Sequence, residues 1–112
     1  MKKIEAIIRP ERLALVRSAL EELGYPGMTI YEVRGHGKQK GVIQQWRGRE
    51  YEVEFLTRLK IEIVVLDEDV SRMMNAIVRA ARTGEMGDGK IFIIPVEGAV
   101  RVRTGDRNEN AV

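Results

Sequence analysis

Ile4-Glu-Ala-Ile-Ile8 returns past the middle of the chain as Ile61-Glu-Ile-Val-Val65, with the acid second in both stretches. Each is short and rich in β-branched residues, which predicts a strand. A helical pattern follows each one. Leu13, Val16, Leu20 and Leu23 step by three and four after the first, and Val70, Met73, Met74, Ile77 and Ala81 do so after the second. Pro10 stands at the start of the first helix, where its missing N–H costs little, and Asp67 or Asp69 is placed to cap the second. A strand then closes each half: Met28–Arg34 after the turn Gly24-Tyr-Pro-Gly27, and Ile91–Val96 after a glycine-rich loop. The order predicts an α+β, ferredoxin-like split-βαβ (βαββαβ) sandwich, with an antiparallel four-stranded sheet and both helices on one face. The other face is bare, and another subunit is expected to cover it.

The halves are joined by a long connection, roughly residues 35–57, with glycines at Gly35, Gly37, Gly41 and Gly48 and no core pattern. Connections of that length inside a compact domain usually carry function. The polar tail after Arg103 is expected to fray. A chain of 112 residues reads as one domain. It has no cysteine, which removes thiol chemistry, disulfides and Cys-based zinc sites. With no apolar run long enough to span a bilayer and no secretory leader pattern at its start, the expected location is cytoplasmic. Lys and Arg total 19 against 17 Asp and Glu, a net charge of +2, and this near balance argues against a nucleic-acid partner. The positive charges bunch instead at Arg34–Lys40, Arg47–Arg49 and Arg101–Arg107, which suits a small anionic ligand.

Gly84-Glu-Met-Gly-Asp-Gly-Lys90 satisfies the GxxxxGK spacing of a phosphate loop, but Ile91 stands where a Mg²⁺-binding hydroxyl is required. The context is also inverted, since a helix precedes the loop and a strand follows it, so a Walker-type NTPase is excluded. One reading is a helix C-cap at Gly84 and an ordinary turn. Gly87, Gly89, Asp88 and Lys90 exceed what a cap needs, and an anion cradle of consecutive N–H groups is the better reading. In Val100-Arg-Val-Arg-Thr104, alternation would put Arg101 and Arg103 on one face of an extended segment, about 7 Å apart, able to clamp a polyphosphate. The other reading is a charged edge strand. His36 is the only histidine, so multi-His metal sites have no support. Trp46-Arg-Gly-Arg-Glu-Tyr51 has the composition of a recognition tip, although Glu50 to Phe55 also alternates like a strand. No Ser/His/Asp set and no dedicated carboxylate pair marks a catalytic centre, so a regulatory binding protein is expected in place of an enzyme.

Taken together these residues resemble the PII nitrogen-regulatory signal proteins. The match runs through Met1–Ile8, Gly27-Met-Thr29, Gly35–Gly41, Arg47–Tyr51, Lys60–Val65, Thr83–Phe92 and Arg101–Gly105, with Thr83–Phe92 the most specific stretch. The resemblance implies a homotrimer with ATP or ADP in the clefts between subunits. It assigns residues 37–55 as the T-loop, 82–90 as the glycine-rich B-loop and 98–112 as a C-terminal segment. Gly87, Asp88, Gly89 and Lys90 would cradle phosphates together with Arg101, Arg103, Gly37, Lys38 and Gln39, while Thr29, Glu62 and Val64 would hold the adenosine. Gln39 would join ATP and 2-oxoglutarate in holding Mg²⁺. Lys40, Gly41, Gly87 and Arg58 would receive the 2-oxoglutarate carboxylates. The T-loop, with Trp46, Arg47, Arg49 and Tyr51 at its tip, would engage an ammonium transporter, a nitrogen-metabolic enzyme or a transcriptional regulator. The chain would approach a membrane only through a transporter. Tyr51 is a possible modification site.

The chain departs from the family pattern at Arg58, where Lys is usual, and at Lys38, where Arg is common. Both changes keep the charge and alter the geometry. The Trp46–Tyr51 tip also differs from that of members uridylylated at this tyrosine. Two other function classes share this fold: a small phosphohydrolase, which would need a water-activating base, and an RNA-recognition module, which would stack bases on sheet aromatics that Lys60–Leu66 lacks.

Overall fold

The computed structural model describes residues 1–25, 27–35 and 56–112 in full, and residues 43–46 and 49–52 in backbone only. In chain order the elements are β1 (Lys2–Ile8), α1 (Leu13–Glu22), β2 (Thr29–Gly35), β3 (Ile43–Trp46), β4 (Arg49–Glu52), β5 (Leu56–Val65), α2 (Val70–Ala81) and β6 (Lys90–Pro95). The main sheet runs β2-β5-β1-β6, and every neighbouring pair in it is antiparallel. Each βαβ half is therefore split by a strand of the other half, which is the arrangement the repeat predicts.

Alternation along β1 and β5 decides which face is buried. Ile4, Ala6 and Ile8 on β1 and Ile61, Ile63 and Val65 on β5 point to the same side, where they meet Val16 and Leu20 of α1 and Met73, Ile77 and Ala81 of α2. Each large aliphatic side chain fully withdrawn from water there contributes about 1.5–3 kcal/mol before ordering costs. The two helices lie against this one face.

Both helices begin with a short 3₁₀ turn, Pro10–Arg12 and Asp67–Asp69, and Pro10 sits at the first turn as its chemistry favours. Asp69 occupies the N-cap position of α2, but its side chain does not cap the helix. The carboxylate accepts instead from the Tyr25 hydroxyl and from Arg72 Nη2 at 2.7 Å. Asp67 is likewise engaged elsewhere, 2.8 Å from the N-terminal amine.

Three further expectations change. β5 starts at Leu56, so the long connection is shorter than its sequence implies, and it contains an antiparallel hairpin in which Trp46 pairs with Arg49 and Gln44 with Tyr51. Residues 100–104 form a turn, not a strand: Gly105 N–H donates to the Arg101 carbonyl at 2.8 Å and Arg101 N–H to the Asp106 carbonyl at 2.9 Å. Among the described residues the alternation in Val100–Thr104 finds no ladder partner, and Gly105 (φ 74°) lets the chain reverse. The tail does not fray from Arg103 onward either. Val100 bridges Arg107, and residues Asn108–Ala111 form a 3₁₀ turn.

Candidate functional site

α2 stops at Ala81 because Arg82 turns to an extended conformation (φ −69°, ψ 131°), so the following loop stands off the end of the helix. Gly84 (φ 89°), Gly87 (φ 92°) and Gly89 (φ 109°) all adopt backbone conformations disfavoured for other residues. Asp88 sits inside this loop. Its carboxylate accepts from the Thr83 and Gly84 amides, each at 2.9 Å, and from the Thr83 hydroxyl. Arg9, at the end of β1, donates Nε to the same carboxylate at 3.0 Å and Nη2 to the Met86 carbonyl at 2.7 Å. The Thr83 hydroxyl first, then the Thr83 amide, Arg9 and the Gly84 amide, hold the Asp88 carboxyl far below the usual carboxylate range against partial desolvation.

These bonds leave a specific set of donors unused. The amides of Met86, Gly87, Asp88 and Gly89 donate to no described residue. Consecutive unpaired N–H groups in a glycine-rich turn form a concavity suited to an anion. Lys90 follows, paired in register with Ile7. Beside the loop opens a cleft of about 270 Å³ whose lining includes Ile8, Met74, Ile77, Val78, Arg82 and Lys90.

A second group lies on the bare face of the sheet. Thr29 is directly opposite Glu62, which is in turn opposite Glu5, and Val64 follows one alternation further along β5. Glu62 accepts from the Tyr31 hydroxyl at 3.2 Å and lies 3.6 Å from Lys60 Nζ and 3.7 Å from Lys3 Nζ. Lys60 Nζ also stands 4.8 Å from the centroid of the Tyr31 ring. The bond from Lys3 lowers the Glu5 carboxyl pKa and raises that of the Lys3 amine. Arg58, opposite Val33 on this face, donates to the Thr57 carbonyl at 2.9 Å.

The predicted residues thus fall into separate groups. β2 and β6 are opposite edges of the sheet, about 14 Å apart at ordinary strand spacing. Val96 N–H donates to the Met1 carbonyl, so β6 carries the chain away from the glycine loop before Arg101 and Arg103 are reached. Arg101 lies 3.4 Å from Asp106, and among the described residues neither Arg101 nor Arg103 bonds to the loop. Gly37, Lys38, Gln39, Lys40, Gly41 and Arg47 lie outside the described residues, as do the side chains of Trp46, Arg49 and Tyr51.

Two residues of the loop assembly escaped the sequence reading as site components. Thr83 was legible only as part of a signature, and nothing in the sequence singled out Arg9. What unites them with Asp88 is the Ile7–Lys90 pairing, a contact between the two ends of the chain.

Among the described residues no group of three or more His, Cys, Asp or Glu is arranged to hold a metal ion. No helix there is long and apolar enough to cross a membrane. The family model described as "Nitrogen regulatory protein P-II" matches residues 1–106. Relatives named nitrogen regulatory protein P-II align over 100% of both chains, with 59% identity in Microchaete diplosiphon, 56% in Synechocystis sp. and 54% in Pasteurella multocida.

Proposed function

The chain belongs to the nitrogen regulatory protein P-II family, and from that premise we propose that it is a cytoplasmic metabolite sensor. It binds ATP or ADP and, with Mg·ATP in place, 2-oxoglutarate, in clefts between the subunits of a homotrimer. The observation that carries the reading is the run of amides at Met86–Gly89, which donate to no described residue, beside Lys90. A phosphate chain satisfies such donors without any catalytic group.

The separation of the half-sites supports a site shared between subunits. Thr29, Glu62 and Val64, which would hold the adenosine, sit across the sheet from the loop, and Arg101 and Arg103 follow the far end of β6. A second copy that brings its own Thr29, Glu62, Arg101 and Arg103 to this loop would complete the site and cover the bare sheet face. Gln39, Lys38 and Gly37 would approach the phosphates. Mg²⁺ would take ligands from Gln39, ATP and 2-oxoglutarate, and Lys40, Gly41, Gly87 and Arg58 would receive the dicarboxylate. The nucleotide and 2-oxoglutarate would then bias residues 37–55, including Trp46, Arg47, Arg49 and Tyr51, between states that bind different partners. Those partners would be an ammonium transporter, a nitrogen-metabolic enzyme or a transcriptional regulator. Calorimetric titration of 2-oxoglutarate with and without Mg·ATP tests this. Heat of binding only when Mg·ATP is present is expected, and no ATP-dependent binding rejects the sensor reading.

A further inference from the structure

Arg9 carries a bond pattern that a surface arginine does not need. Its guanidinium bridges the Asp88 carboxylate (3.0 Å) and the Met86 carbonyl (2.7 Å), spanning the loop from the end of β1. The side chain is 16% exposed and that of Asp88 24%, so the pair is shielded more than an ordinary surface contact. We infer that Arg9 is a positioning residue for the phosphate site, holding the glycine loop in the one shape whose amides can face an anion. This rests on the nucleotide reading above.

The physical case has three parts. First, the loop is held at two places by one strand, because Gly89 packs against the Ile7 carbonyl and Met86 and Asp88 are tied to Arg9. Second, Arg9 is itself fixed. It precedes Pro10, which restricts its backbone to the extended conformation it adopts (φ −67°, ψ 138°), and its carbonyl accepts from Arg12 N–H at 3.0 Å. Third, charge and dipole are both managed. The guanidinium neutralises a carboxylate that would otherwise repel a polyphosphate, and it takes up the Met86 carbonyl, whose oxygen would oppose an anion if it swung inward. Asp88 then serves the site by shaping it, with its carboxylate committed to the Thr83 and Gly84 amides.

The test compares wild type, Arg9→Ala and Arg9→Lys by amide hydrogen exchange without nucleotide and by calorimetry with ATP and with adenosine. In Arg9→Ala, exchange at Thr83 and Gly84 should rise about tenfold while the Ile61 and Val65 amides hold their rates. ATP affinity should fall about tenfold, the loss expected for a charge-assisted hydrogen-bonded pair, with adenosine affinity unchanged. Arg9→Lys keeps the ion pair without the fork and should fall between the two. Unchanged exchange at Thr83 and Gly84, or equal losses for ATP and adenosine, would overturn this inference while leaving ATP binding by wild type intact. Failure of wild type to bind ATP would overturn the nucleotide reading, and the phosphate role of Arg9 with it.

Discussion

Gly89 lies on the Ile7 carbonyl so closely that a Cβ at Gly89 would land on that oxygen and come within 2.8 Å of the Ile7 carbonyl carbon. The obstacle is backbone, which cannot rotate away as a side chain would. Gly89 also holds φ at 109°, where any other residue is strained. Gly89→Ala should therefore cost about 2 kcal/mol or more, read as a lowered midpoint in denaturant. A midpoint equal to wild type would show that the loop relaxes freely and that the close approach is not required.

The same contact marks the limit of what the sequence made legible. Strands and helices were readable because Ile4–Ile8 and Ile61–Val65 are short runs rich in β-branched residues and because Val70–Ala81 steps by three and four, preferences that local sterics set. That Ile7 pairs with Lys90 depends on which strands become neighbours, and so Arg9 could not be matched to Asp88 in advance. Asp69 failed as a cap because Tyr25 and Arg72 compete for its oxygens. Arg101 and Arg103 alternate like a strand, yet alternation without a partner strand leaves the backbone free to turn at Gly105.

Asp88 sets the response of the loop to acid. Its folded-state carboxyl titrates far below the usual range, with the Thr83 hydroxyl as the largest cause. A depressed folded pKa stabilises the native state fully above the unfolded value of about 3.9. That contribution declines as pH drops below it and is gone once pH passes the folded value. The Asp88 carboxyl carbon resonance should accordingly show no titration step near pH 4. An ordinary step there would mean that the Thr83 and Arg9 bonds are not maintained in solution.

Tyr25 ties the first half of the chain to the second. Its hydroxyl donates to Asp69 and accepts from Leu66 N–H at 3.4 Å, at the point where β5 gives way to α2. Removing that oxygen in Tyr25→Phe should destabilise the fold by about 1 kcal/mol, measured by equilibrium unfolding. Nucleotide affinity should not change, since Tyr25 touches none of the proposed site. A variant as stable as wild type would show that water replaces the hydroxyl at no cost.

The central claim is that each nucleotide site takes one part from each of two subunits, and complementation tests it most directly. Lys90→Ala disables the loop side, and the double variant Arg101→Ala, Arg103→Ala disables the side that the far end of β6 presents. Each should bind ATP poorly alone. Co-assembled in equal amounts, they should regain tight binding in about a quarter of the clefts, those in which an intact loop meets an intact arginine pair. Recovery of those sites by calorimetry is the predicted result. Mixed assemblies that bind no better than either variant, while wild type binds ATP, would place the whole site within one chain and contradict the account.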